Sequence, residues 1–206
     1  RDGLAMMPGA TTADGTGAIG FALGIMTALL ERERHGTGQS VSTSALGAQI
    51  FIQSWEIQQC ILTGESLQRA GSYMPNIRGP YGIYEAKDGG MFLFTLVGDE
   101  GWALLCEKGG DPSLAKDENW NDAFKRMGAV PEMQSEEAVL DVRGRMKRIF
   151  KCKTTAEWRN FFHSRDDCIV EKIQDHCEVL TDPQVLANDY VVPMSFDGIG
   201  ESMVVG

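Results

Sequence analysis

The chain has no C-x-x-C pair, no secretory leader pattern and no apolar run of membrane length, and it is short of cations. Its five cysteines, at positions 60, 106, 152, 168 and 177, are odd in number and scattered. That pattern excludes a disulfide framework and reads as reduced thiols in a cytoplasmic protein. The longest apolar run, residues 18–30, falls short of the roughly 20 residues a bilayer-spanning helix needs, so the Gly20-x-x-x-Gly24 spacing is not read as a membrane dimer motif. Nineteen Lys and Arg against 29 Asp and Glu give a net charge of −10, which argues against nucleic acid or an anionic membrane surface as a partner. No Walker loop and no G-x-S-x-G elbow occurs. At 43% hydrophobic and 8% aromatic residues, the composition is that of a folded domain and excludes disorder.

What is present is organised around residues 12–39, TADGTGAIGFALGIMTALLERERHGTGQ. Asp14 reads as a helix N-cap, its carboxylate accepting from main-chain N–H groups that lack an intrahelical partner. Ile19, Leu23, Met26 and Leu30 recur at three- and four-residue steps and predict the inner stripe of a helix, which Glu31-Arg32-Glu33-Arg34 carries into water and Gly36 stops. Gly17, Gly20 and Gly24 each lower helix propensity by about 1 kcal/mol relative to Ala, so their recurrence implies close approach by another backbone or a ligand. Gly15-x-Gly17-x-x-Gly20 has dinucleotide-loop spacing, but it follows a Pro8-Gly9 breaker and lacks a partnering acid, so it is read as coincidence.

The chain on either side yields the remaining elements. Residues 1–13 read as loop, residues 39–43 as a short strand, and residues 44–62 as one helix with Leu46, Ile50, Ile57 and Ile61 inward and Gly64 as its stop. Residues 65–80, broken by Gly71, Pro75, Gly79 and Pro80, form the best linker. Residues 81–86 and 91–96 flank Lys87-Asp88-Gly89-Gly90 as a hairpin, and a helix over 100–108 follows. Residues 111–130 read as irregular, anchored by Trp120 and Phe124. Ser135 starts a helix carrying Val139, Val142, Met146, Ile149 and Phe150, and Thr155 caps another carrying Trp158, Phe161 and Phe162. Residues 168–170 are a short strand, Asp182-Pro183 opens a helix through about Asn188, and residues 190–196 and 202–205 are strands. His163, Cys168, His176 and Cys177 match no structural zinc spacing and read as surface and core residues, so no metal is expected.

The stretch A-D-G-T-G-x-x-G-x-x-x-G-I-x-x-A-L-x-E-R-x-R-x-G-T-G-Q-x-V resembles the class III CoA-transferases, the family of formyl-CoA transferase, carnitine CoA-transferase and α-methylacyl-CoA racemase. Tyr81-Gly82-Ile83-Tyr84 with Asp88-Gly89, the segment at 154–158 and Leu180-Thr181-Asp182-Pro183-Gln184 look like that family's small domain and its return to the large one. The resemblance implies an α/β fold: part of a Rossmann-like large domain, helix-turn-strand-helix, then a smaller α+β domain, with the last strands returning to the large domain. The implied boundaries are 1–70, 71–180 and 181–206. It also implies that Asp14 is the nucleophile that takes CoA from an acyl-CoA and passes it to a carboxylic acid through an aspartyl-CoA intermediate.

By the same likeness, coenzyme A is a co-substrate whose binding residues lie mostly upstream of Asp14 and are unknown here, and the protein is an interlocked homodimer. The chain opens on Arg1 and stops within its last strand, so further sequence is expected on both sides. Two alternatives stand beside transfer. One is an α-methylacyl-CoA racemase that uses Asp14 as acid and base with a histidine about thirty residues upstream; the other is a catalytically inert fragment.

Overall fold

The computed structural model describes residues 11–67, 71–128 and 134–206. By its contacts the chain divides into two compact units, Arg1–Arg69 and Ala70–Gly206. Part of the expected N-terminal loop, and residues 68–70 of the expected linker, lie outside the described residues.

The first unit is helical. Helix α1 (Thr12–His35) ends on Gly36, whose left-handed backbone (φ 72°) lets its N–H reach the Arg32 carbonyl at 2.8 Å. Helix α2 (Ala45–Ile52) starts at Ser44, whose hydroxyl accepts from the Gly47 N–H at 3.0 Å, and α3 (Ser54–Thr63) ends on Gly64 at φ 74°. The single helix expected over 44–62 is therefore broken at Gln53. The Gln53 side chain donates to the Gln49 carbonyl at 3.1 Å, competing there with its own main-chain N–H at 3.2 Å, and such competition loosens a helix turn.

Two further expectations are corrected in this unit. The strand over 39–43 does not form, because among the described residues of this unit no other strand offers its extended main chain a ladder. The segment is held by side chains instead: a Cβ built on Gly24 would sit 2.8 Å from Val41 Cγ1, so Val41 packs where that glycine leaves room. The stripe Ile19, Leu23, Met26 and Leu30 is not inward but 50–74% exposed, and Leu46, Ile50 and Ile61 are exposed as well. Phe21, Ile25 and Leu29 on α1 line a groove with Val41 instead. Helix α1 is thus apolar around most of its girth, and by length and composition its 24 residues suffice to cross a membrane. The uncharged run at 18–30 is shorter, and the helix reaches its full length only with Asp14 near one end and Glu31, Arg32, Glu33 and Arg34 at the other.

The second unit holds the core. Strands β1 (Gly82–Glu85), β2 (Met91–Val97) and β3 (Cys168–Lys172) form an antiparallel sheet in the order β1-β2-β3, with Gly82 opposite Phe94 and Glu85 opposite Met91 as the hairpin pattern predicts. Phe92 and Phe94 alternate inward along β2. Strict alternation would then turn Leu96 inward, but Val97 is the buried residue, because Thr95 is an extra residue between the pairs Phe94–Val170 and Leu96–Ile169. Its hydroxyl donates to the Ile169 carbonyl at 2.6 Å.

Four helices and a short 3-10 turn cover this sheet. They are α4 (Asp99–Lys108), the turn at Leu114–Lys116, α5 (Ala123–Arg126), α6 (Glu136–Lys151) and α7 (Thr155–His163). Val139, Val142, Met146, Ile149 and Phe150 all turn inward from α6, as their spacing predicts, and Ser135 caps it through the Ala138 N–H at 3.2 Å. Phe150 lies at the centre of the aromatic cluster, with ring centroids 5.1 Å from Tyr84, 5.8 Å from Phe92 and 5.4 Å from Trp158. The cap of α7 is Thr154 rather than Thr155, since Glu157 reaches back to the Thr154 N–H and completes a capping box.

Trp120 is buried as expected, but Phe124 is 71% exposed. The anchor from α5 is instead Arg126, which donates to the Trp120 and Val97 carbonyls at 2.8 and 2.9 Å, pairs with Asp99 and lies over the Trp102 ring. Cys106 of α4 is sealed in this core, where burial pushes its thiol up to about 12.

After β3 come two short helices, α8 (His176–Val179) and α9 (Pro183–Ala187). Asp182 caps α9 ahead of its N-terminal proline, as predicted. Strands β4 (Val191–Phe196) and β5 (Gly200–Val205) form a separate hairpin, and residues 181–206 group with the second unit. The architecture is mixed α/β, and its sheets among the described residues are small and antiparallel, so the strand that a Rossmann-like portion requires is absent from them.

Candidate active site

Asp14 occupies the third position of α1, inside the first turn, and not the cap position expected from sequence. The cap is Thr11, whose side chain makes no capping bond, while its carbonyl accepts the Gly15 N–H at 3.0 Å. By helix geometry the N–H groups of Thr12, Ala13 and Asp14 then have no intrahelical acceptor, and among the described residues no side chain caps this positive end of a 24-residue helix. The Asp14 side chain is exposed and has no hydrogen-bond or ion-pair partner among the described residues.

The glycines around it divide into two kinds. A Cβ on Gly15 or Gly20 would meet nothing within 4 Å, whereas one on Gly17 would touch the Ala48 Cβ at 3.8 Å and one on Gly24 would collide with Val41. Close approach is therefore real at Gly24, whereas a side chain on Gly17 would make only ordinary van der Waals contact. At Gly15 the missing side chain leaves the flank of Asp14 clear.

A contact that sequence reading missed fixes the start of α1. Gln49 of α2 donates from Nε2 to the Thr12 hydroxyl at 3.1 Å, and Gln53 donates from its own Nε2 to Gln49 Oε1 at 3.3 Å. Nothing in the chain marks this relay except two glutamines four residues apart on one helical face. Farther along α1, Phe21, Ile25, Ala28, Leu29 and Arg32 line an apolar groove of about 310 Å³ with Gly38, Gln39 and Val41.

The remaining candidates do not converge. His163 pairs with Glu171 at 3.4 Å, Cys168 lies against Asp167, and among the described residues no three His, Cys, Asp or Glu side chains gather as a metal site. Burial pushes the Cys168 thiol up to about 11, which suits a packing residue and not a nucleophile.

The model of CoA-transferase family III matches residues 1–206. Among curated proteins, the chain is 27% identical to a succinyl-CoA–D-citramalate CoA-transferase of Chloroflexus aurantiacus, over 94% of this chain and 45% of that protein. It is 33% identical to a succinyl-CoA:mesaconate CoA-transferase of Haloarcula hispanica, over 58% of this chain and 29% of that protein. An α-methylacyl-CoA racemase of Mus musculus is 26% identical over 75% of this chain and 37% of its own length. A crystal structure of Rv3272 from M. tuberculosis superposes with a TM-score of 0.71 at 16% identity, covering 98% of this chain and 49% of that one. The chain thus spans about half, or less, of the length of the relatives it matches.

Proposed function

The chain belongs to CoA-transferase family III, and on that premise we propose that Asp14 is the nucleophile through which CoA passes from an acyl-CoA to a carboxylic acid. The observation that carries this reading is the exposed carboxylate in the first turn of α1, without a partner among the described residues and beside N–H groups that the Thr11 side chain does not cap. The Asp14 carboxylate attacks the thioester carbonyl, giving a mixed anhydride and the CoA thiolate. That thiolate attacks the aspartyl carbonyl, the donor acid leaves, and an aspartyl-CoA thioester remains. The acceptor carboxylate then displaces CoA as a second anhydride, and CoA attacks the acceptor carbonyl, which releases the new acyl-CoA and restores Asp14.

Each attack places negative charge on a carbonyl oxygen. The open N–H groups and the helix dipole are suited to stabilise such an oxyanion. Gly15 keeps the approach clear. On this reading coenzyme A is a co-substrate, no metal takes part, the protein is a cytoplasmic homodimer, and the apolar faces of α1 are covered by protein and not lipid. The 206-residue chain alone is inactive. The named activity of the citramalate transferase makes a dicarboxylic acid the first acceptor to try.

The test uses the protein as its gene encodes it. Asp14→Asn should abolish transfer, by about 10³-fold or more, as expected when a covalent nucleophile is lost. Folding should be little changed, because removing one exposed first-turn charge costs only about 0.3–1 kcal/mol. Incubation with acyl-CoA should give an adduct at Asp14 that hydroxylamine or borohydride traps. Near-normal turnover in the variant would overturn the assignment. A racemase, the reading favoured by the murine relative, would exchange an α-proton and leave no adduct.

A further inference from the structure

In the second unit, Tyr73 forms a bridge to Gly82, which needs to be glycine there: an added Cβ would overlap Tyr73 Cδ1 and crowd the Ser72 carbonyl. The ring is held edge-on by Tyr84, with centroids 6.1 Å apart. Above it lies the Arg143 guanidinium, 4.1 Å from the ring centroid, and Lys147, one turn later on α6, is 5.8 Å from the same centroid. Arg143 is fixed through Nε, which donates to the Gly79 carbonyl at 3.0 Å. Gly79 itself stands at φ 126° against Trp120, so that carbonyl has little freedom to move.

This arrangement leaves polar groups unused. Neither Nη1 nor Nη2 of Arg143 has an acceptor among the described residues, and neither Arg143 nor Lys147 forms an ion pair there. Glu136, an acid beside Arg143, is held 2.9 Å from Arg78, a third cation next to Arg143. The Tyr73 hydroxyl is buried without a partner, and so are both amide atoms of Asn76, three residues on. Orphaned buried groups of this kind are costly and uncommon.

We propose that Arg143, Lys147 and the Tyr73 hydroxyl form a binding site for an oxyanion, a carboxylate or a phosphate carried by a small ligand. A guanidinium stacked on a ring and pinned at Nε presents its two outer nitrogens as a fixed fork, the geometry that carboxylate and phosphate accept. Lys147 adds a mobile charge at the rim, and the orphaned hydroxyl supplies a further donor. In a chain of net charge −10, two adjacent cations without an ion-pair partner among the described residues are placed against the overall balance. The site is independent of the role of Asp14 and is tested by binding alone.

Titration calorimetry of the 206-residue chain with succinate, and separately with adenosine 3′,5′-bisphosphate, distinguishes an acid substrate from the phosphates of a nucleotide. One of the two should bind, and binding should weaken at least about 10-fold in Arg143→Gln and severalfold in the exposed Lys147→Gln, while Arg148→Gln leaves it unchanged. Tyr73→Phe separates binding from packing. A purely structural tyrosine predicts unchanged binding and equal or higher stability; the site predicts weaker binding by a protein that is just as stable. Failure of both anions to bind, or equal binding by Tyr73→Phe, Lys147→Gln and the parent chain, would overturn the proposal.

Discussion

The carboxylate of Asp88, in the hairpin turn, accepts both the main-chain N–H of Thr155 at 2.9 Å and its hydroxyl at 2.7 Å. This one contact ties the β1–β2 turn to the start of α7, 67 positions away. Hydrogen bonds from Thr155 hold the Asp88 carboxyl below its usual range. The turn comes that close because Gly90 has no side chain: an added Cβ would lie within van der Waals overlap of the Thr155 hydroxyl.

Gly90→Ala should therefore lower the thermal midpoint, with a cost of about 1–3 kcal/mol of the kind that overpacking imposes. Asp88→Ala should act in the same direction by leaving the Thr155 N–H unpaired. Thermal denaturation of the two single variants and the double variant checks this, since two changes at one contact should not add. Additive losses would show that the clamp is not the cause.

Acid should weaken the second unit through Asp111. Arg145 grips its carboxylate with two bonds of 2.7 Å, and that pairing holds the carboxyl down to about 2. A depressed carboxyl stabilises the fold fully above its ordinary value near 3.8 and loses that contribution as pH falls toward about 2. The contribution is at most about 2 kcal/mol. Urea unfolding followed between pH 5 and pH 2 should show this slope, and Arg145→Gln should flatten it. An unchanged slope in the variant would assign the acid sensitivity to other carboxylates.

Limited proteolysis of the 206-residue chain should cut first between Glu65 and Pro80 and leave a resistant C-terminal piece. The second unit buries three tryptophans and the Phe150 cluster, whereas Gly17 and Ala48 are the buried residues described in the first. Mass spectrometry of the early fragments decides this; uniform resistance, or first cuts within 82–172, would refute it.

The elements that proved legible are those whose pattern and local chemistry agree. Helix α6 is one: a serine cap, acidic residues in the first turn, basic residues in the last and one apolar stripe all specify the same element. The hairpin at 82–97 and the Asp182-Pro183 start are others. Where the reading failed, a partner or a competing bond decided the outcome. Residues 39–43 have strand composition but no neighbouring strand, Gln53 diverts its side chain to the carbonyl of Gln49, and Phe124 is outcompeted for the core by Arg126, which satisfies two carbonyls there. Asp14 was legible as a helix-start carboxylate by residue type, but the cap lies three residues earlier at Thr11. The Gln49–Thr12 contact joins residues 37 apart, a distance that no local pattern encodes.

The placement of Cys106 has a kinetic consequence. A thiol that is both walled in and held protonated at neutral pH cannot react with an alkylating agent from the closed state, because the thiolate is the reactive form. Its labelling rate therefore equals the frequency with which α4 and the sheet come apart, multiplied by the chance that reagent arrives before they close again. Exposed Cys152 and Cys177 label at once and set the zero of time, so a single mass-resolved alkylation series would time the openings of this core without any engineered probe.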